Sequence, residues 1–282
     1  MNPKPKNILL DLLLAQGGSA LSVRECVAAC GLFHISPNNV RVAVVRLSAE
    51  GLIEAAERGS YVLSAKAHEL ADEVAAWRQA ERRLKPWQGG YLAVHCGALS
   101  RVNRSALRGR DRALQMLGFR ELDWGLYVRP DNLADPLPTL RARLHTLGLE
   151  AEASVFVAQG FDAEREARIR KLWDTKTLNA SYRKQAVRLE DWMQRAETLE
   201  PEAAARESFL LGGKAIREIV FDPLLPEPFV DVAARQAFMI STQHFDTFGK
   251  AIWRRLLQAA AMRPELAART KNKTSRKTAA LH

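Results

Sequence analysis

Between Leu21 and Ser64 the chain starts and stops two helices in quick succession, which narrows its fold more than any other feature. A short helical pattern, Val23 to Ala29, runs into a turn at Gly31. A sharp helix start follows, with Ser36 placed as N-cap and Pro37 at the first helical position. Val40, Ala43, Val44 and Leu47 then recur at i, i+3, i+4 and i+7, which predicts one buried stripe. Gly51 stands where a helix ends on a left-handed residue. Two short strand-like runs come next, Leu52-Ile53 and Tyr61-Val62-Leu63, around a turn at Glu57-Arg58-Gly59-Ser60. Helix, turn, helix and hairpin is the order of a winged helix-turn-helix, a module that lays its second helix in the DNA major groove.

At about 100° per residue, the side of that helix opposite the stripe holds Asn38, Val42, Val45 and Ala49. Asn39, Arg41 and Arg46 flank it. Asn can bond adenine bidentately, Arg can bond guanine or phosphate, and a valine can meet a thymine methyl. The candidate DNA-binding residues are therefore Asn38, Asn39, Arg41, Val42, Val45 and Arg46, with Arg58 in the hairpin turn. The outward valines also fit packing against another domain, and helix-turn-helix modules also bind protein. An interaction adaptor without specific DNA binding is thus the alternative reading.

The 282 residues carry a formal net charge of +10, which favours a polyanionic partner. The charge is concentrated. Arg101, Arg104, Arg108, Arg110, Arg112 and Arg120 face a single acid, Asp111, between 101 and 120. Arg263, Arg269, Lys271, Lys273, Arg276 and Lys277 face only Glu265 after 262. Three cysteines point to a reducing cytosol rather than a disulfide scaffold. No apolar run approaches the ~20 residues of a membrane span. Asp11 interrupts the one stretch that looks like a signal peptide, and Ile8, Leu9, Leu12 and Leu13 instead share a helical stripe. A cytoplasmic protein without a membrane partner is expected.

Further along, Ala65 to Leu84 reads as a connecting helix, with Leu70, Val74 and Trp77 at near-helical spacing. Lys85 to Gly90 breaks it. Tyr91–Cys96, Asn103–Leu117, Phe119–Leu122, Leu126–Val128, Pro138–Leu147 and Ser154–Ala158 then alternate as β-α-β-β-α-β, the order of a ferredoxin-like split unit. From Asp162 the pattern is almost wholly helical: Asp162 to Trp173, Leu178 to Ala196, Pro201 to Val220 and Val230 to Ala261. Asp222-Pro223, Pro226 and Pro228 make a break before the last. The expected fold is a multidomain α+β chain. A winged helix spans 1–64, a connector 65–86, a ferredoxin-like middle domain 87–160, an all-α effector and dimerisation domain 161–261, and a basic disordered tail 262–282.

Four stretches resemble the phenylacetic acid degradation repressor (PaaX) family. They are Gly31 to Leu47 followed by Gly51-Leu-Ile53; Gly118-Phe-Arg-Glu-Leu-Asp-Trp-Gly-Leu-Tyr-Val-Arg-Pro130; Leu172-Trp-Asp174 with Leu178-Asn-Ala-Ser-Tyr182; and Asp222-Pro-Leu-Leu-Pro226. The resemblance implies a bacterial transcriptional repressor that binds double-stranded DNA as a homodimer and leaves it when an acyl-CoA effector, a CoA thioester, binds. Asn38, Asn39, Arg41 and Arg46 fall where the family's recognition helix lies. The chain departs from the family after Pro226, where it reads Glu227-Pro-Phe-Val-Asp231 in place of a Trp-Pro-Gly-like element.

Other chemistry is sparse. The middle domain resembles the fold of small CRISPR-associated nucleases, but its first strand ends His95-Cys96-Gly97 without the metal-holding carboxylate. Cys26, Cys30 and His34 have a ligand-like spacing with no fourth ligand. No nucleophile elbow, phosphate loop or zinc-protease helix appears, so neither an enzyme, a resident cofactor nor a metal is expected. The aromatics of the helical domain read as core. A second reading places Trp173 and Tyr182 in an effector pocket, with Arg206, Lys214 and Arg217 meeting an anionic group.

Overall fold

The computed structural model describes residues 3–15, 17–68, 76–100 and 102–278, the last of these as backbone alone from 260. The chain is a mixed α+β structure, as its patterning predicts. It divides into two compact units. One comprises Met1–Ala75, Asp191–Gly213 and His244–His282; the other comprises Ala76–Glu190 and Lys214–Gln243.

The first unit begins with α1 (Pro5–Ala15), which buries Ile8, Leu9, Leu12 and Leu13. Helix α2 (Val23–Gly31) starts at a reciprocal cap. The Glu25 amide donates to Ser22 Oγ at 3.2 Å, and the Ser22 amide donates to Glu25 Oε2 at 2.8 Å. Helix α3 (Pro37–Ala49) has Ser36 as N-cap and buries the predicted stripe of Val40, Ala43, Val44 and Leu47. Each valine or leucine of the stripe contributes roughly 1.5–3 kcal/mol by leaving water. Gly51 follows at φ +67°, a left-handed conformation that costs a glycine no Cβ clash.

The hairpin is longer than expected: β2 (Ile53–Glu57) pairs with β3 (Ser60–Leu63), with a register shift between Ala55 and Glu57. A third strand, β1 (Leu21–Ser22), pairs with β3, giving the order β1-β3-β2. Two residues carry no periodicity, so this strand has no sequence signature of its own.

Three long helices, α7 (Thr175–Arg195), α8 (Pro201–Val220) and α9 (Val232–Thr278), supply residues to both units. The segment 161–261, read from sequence as one helical domain, is therefore shared between them. In the first unit Ala205, Trp253 and Leu257 join the core formed by α1–α3. Phe33, in the turn between α2 and α3, meets Phe209 edge-on at 5.2 Å and stacks on Trp253 at 6.2 Å. Helix α9 also runs past the expected end at Ala261 to Thr278. The segment expected to be disordered lacks an apolar stripe, but Leu266, Ala267, Ala268, Arg269, Lys271 and Lys273 are good helix formers.

The second unit holds the β-α-β-β-α-β order. Strands β4 (Tyr91–His95), β5 (Arg120–Asp123), β6 (Leu126–Pro130) and β7 (Ser154–Ala158) form an antiparallel sheet in the order β5-β6-β4-β7. Ala93 lies opposite Val128 on one side and Phe156 on the other. Helices α4 (Arg104–Met116) and α5 (Leu137–Leu147) pack with the sheet through Leu114, Leu140 and Leu144 against Leu92, Val94 and Val155.

Of the predicted connecting helix, Leu70 and Val74 lie outside the described residues, and Ala76–Arg83 forms a 3₁₀ helix instead of an α-helix. Its contacts are long-range. The Ala134 amide donates to Arg83 O at 2.8 Å, and Arg235 Nε donates to Glu81 Oε1 at 2.8 Å. Helix α6 (Ala163–Ile169) is capped by Asp162 as expected but stops short of Trp173. That tryptophan turns inward, and its Nε1 donates to Gly118 O at 3.1 Å.

Candidate nucleic-acid interface

The geometry of α3 begins at its cap. The Asn39 amide donates to Ser36 Oγ at 3.3 Å, and Pro37 sets the first turn. The buried stripe then fixes the roll of the helix, so the opposite face is presented outward as a unit. Asn38, Asn39, Arg41, Val42, Val45 and Arg46 are all exposed, with Val42 at 41% and Val45 at 67%. Among the described residues, no hydrogen bond or ion pair engages the side chains of Asn38, Arg41 or Arg46. Three polar and two apolar side chains thus face solvent on one side of the helix.

Arg58 is exposed at the tip of the β2–β3 hairpin, where Gly59 has φ +80°. The Val23 amide donates to Gly59 O at 2.9 Å, which holds the tip against the start of α2. Glu54 and Glu57 are exposed along β2, so the positive charge of the hairpin is confined to its tip. All seven predicted DNA-contact residues belong to the first unit.

The five predicted effector residues are placed differently. Trp173 and Tyr182 are buried, each with its polar atom spent: Trp173 on Gly118 O, and Tyr182 on Asp222 Oδ2 at 2.6 Å. Lys214 and Arg217 are exposed on α8, with Lys214 Nζ 3.8 Å from Glu218. Arg206 is exposed in the first unit. There it lines an open cleft of about 540 Å³ together with Ala28, Leu32, His34, Glu200 and Glu202. Trp173, Tyr182, Lys214 and Arg217 belong to the second unit and Arg206 to the first.

Cys26 and Cys30 are buried in the core of the first unit. Burial pushes their thiols up to about 12 and about 11, which keeps both protonated. His34 is exposed at φ 59°. Among the described residues, no three ligating side chains come together around a metal position.

Several residues that hold the second unit together carry no apolar periodicity, although most of them fall in the stretches that resemble the PaaX family. Arg129 is buried and donates to Pro130 O at 3.2 Å, to Asn132 Oδ1 at 2.9 Å and to Leu117 O. Asn132 Nδ2 donates in turn to Leu224 O at 2.7 Å. Gly118 has φ +75°, and a Cβ there would stand 2.8 Å from Pro223 O. Gly118, Trp173 and Asp222-Pro223, from three distant stretches, thus converge. The signal that could have found them is the density of Gly, Trp and Pro in stretches without apolar periodicity, which marks close packing.

The model of the PaaX-like protein C-terminal domain family matches residues 173–255. No curated protein matches the chain. Among solved structures, the uncharacterized protein Rv0674 from Mycobacterium tuberculosis is similar, with a TM-score of 0.59 at 18% identity over 88% of this chain and 98% of that one. At that identity the likeness is one of fold. Among the described residues, no helix is long and apolar enough to cross a membrane. Residues 173–255 of this chain are thus similar to the PaaX-like C-terminal domain.

Proposed function

We propose that the chain is a sequence-specific, duplex-DNA-binding transcriptional regulator. In this reading α2, α3 and the β2–β3 hairpin act as a winged helix-turn-helix, and the four-stranded unit is a ferredoxin-like middle domain. The observation that carries the reading is the outward face of α3. Asn38, Arg41 and Arg46 stand unpartnered beside exposed Val42 and Val45, the mixture of donors and small apolar groups that reads base edges. A PaaX-like C-terminal domain supports a regulatory role.

The regulator acts as a homodimer and is a repressor released by a small acyl-CoA-like effector, as the family resemblance implies. Footprinting on genomic fragments selected by the purified protein tests the DNA reading. Two protected half-sites about one helical turn, ~34 Å, or a multiple apart are expected. Failure to protect any fragment overturns it and favours the adaptor reading, in which Val42 and Val45 meet a protein. Release from the selected fragment by a panel of CoA thioesters, with free acids as controls, tests the effector. No release by any member rejects it.

A further inference from the structure

The helices packed on the sheet of the second unit carry an unusual distribution of charge. Helix α4 has four arginines and one acid, Asp111; helix α5 has two arginines and no acid. Arg104, Arg108 and Arg112 are all exposed and follow one another at four-residue spacing. That spacing puts consecutive cations on neighbouring turns, about 6 Å apart along the axis. Like charges so placed destabilise a helix on their own. Arg104 moreover occupies the first turn, where the helix dipole disfavours a cation and no acidic residue stands.

The rest of the unit does little to relieve this repulsion. Arg110, on the same helix, is buried and held by Glu150, with Nε to Oε2 at 3.1 Å. That is a structural ion pair, and it uses up Glu150. Arg112 donates from Nη2 to Leu147 O at 2.9 Å, and Arg141 of α5 donates to Val155 O at 3.1 Å. A carbonyl fixes a guanidinium in place without neutralising it. Among the described residues, Arg104 and Arg108 engage no partner. The exposed row is therefore three cations with Asp111 as the one acid on their helix, and of the three only Arg112 is held by a hydrogen bond.

We propose that the Arg104–Arg108–Arg112 row of α4 is a second, sequence-independent contact for the phosphate backbone of duplex DNA. This rests on the DNA-binding reading of the first unit and extends it. A polyanion reverses the sign of each unfavourable feature. It screens the like-charge row, and guanidinium forks match phosphate oxygens. Contact through phosphates adds affinity and salt dependence while leaving sequence preference to α3.

The test compares the full chain with Arg104→Gln/Arg108→Gln, Arg104→Lys/Arg108→Lys and Arg58→Ala. Each binds its footprinted fragment and a random 30-base-pair duplex over a salt series. The Gln variant should lose affinity for both duplexes by the same factor, and its salt slope should fall by about two units, near 0.9 for each phosphate that is no longer neutralised. The Lys variant should restore the slope, and duplex should shield its two new amines from acetylation. A Gln variant with the native slope, while Arg58→Ala falls, overturns the α4 contact and leaves the DNA reading standing. A native chain that binds neither duplex overturns both. A Gln variant with native DNA binding that no longer responds to CoA thioesters assigns the row to a small anion and overturns the proposal. If the Gln variant fails to fold, the Lys variant decides alone, since unshielded amines count against the contact.

Discussion

The Tyr182 hydroxyl donates to Asp222 Oδ2 at 2.6 Å, joining α7 to the Asp-Pro turn that follows α8. Both side chains are buried. The other oxygen of Asp222 accepts the Leu224 amide at 2.7 Å. One carboxylate thus satisfies a phenol and a turn amide, and it does so within the residues matched to the PaaX-like C-terminal domain. Burial pushes the Asp222 carboxyl above the ordinary carboxylate range, while the Tyr182 and Leu224 bonds pull it back.

A raised pKa means that the folded chain binds this proton more tightly than the unfolded one. The resulting stability is fully present below the unfolded value, near ~3.9, and is lost as pH rises through the folded value. Urea unfolding midpoints from pH 4 upward should therefore fall less steeply for Asp222→Asn than for the native chain. Parallel profiles for the two proteins would show that Asp222 titrates as it does when unfolded. Tyr182→Phe removes one stabilising donor and should cost about 1–3 kcal/mol, more at pH 8 than at pH 4.

On α3 the base-reading and phosphate-binding roles should separate. Asn38→Ala or Arg46→Ala should cost roughly 1–3 kcal/mol at the cognate site and relax base preference. Arg58→Ala, at the hairpin tip, should weaken all duplexes alike and lower the salt slope by about one unit. Competition titrations with point-substituted sites measure both effects. An equal proportional loss of specific and random binding in all three variants would contradict the division.

Phe33 ties the turn of the helix pair to Phe209 and Trp253. Phe33→Ala leaves a cavity at a residue only 5% exposed, and should cost about 3–5 kcal/mol in chemical denaturation. DNA affinity should fall with it, because the turn sets the angle between α2 and α3. Phe33→Leu should recover most of the stability. A Phe33→Ala chain with native stability would mean that the aromatic cluster does not support the turn.

Residues from Arg263 onward add six basic side chains against one acid. Truncation after Met262 retains every named core residue through Leu257. It should leave the melting temperature unchanged and weaken binding to random duplex most at low salt, where unscreened charge reaches furthest. The ratio of cognate to random affinity should hold or rise. Unchanged random-duplex binding at about 10 mM salt, where the screening length is roughly 30 Å, would show that the tail makes no DNA contact.

What the sequence by itself determined is what neighbouring residues decide. Ser36-Pro37 started α3, the stripe from Val40 to Leu47 set its buried side, Gly51 ended it, and Asp162 capped α6. Each depends on caps, periodicity or backbone freedom within a few residues. The outward face of α3 follows from the same stripe, so the exposure of Asn38, Arg41, Val42, Val45 and Arg46 was legible as well. Only the tertiary structure decided the pairing of β1 with β3, the 3₁₀ form of Ala76–Arg83 and the buried network of Arg129. It also divided α7, α8 and α9 between two units, and spent Trp173 and Tyr182 on Gly118 and Asp222. Tyr182, Trp173 and Asn132 find their partners 40, 55 and 92 residues away along the chain. Such pairings depend on burial and satisfied hydrogen bonds once the chain has closed on itself, and local pattern carries no record of them.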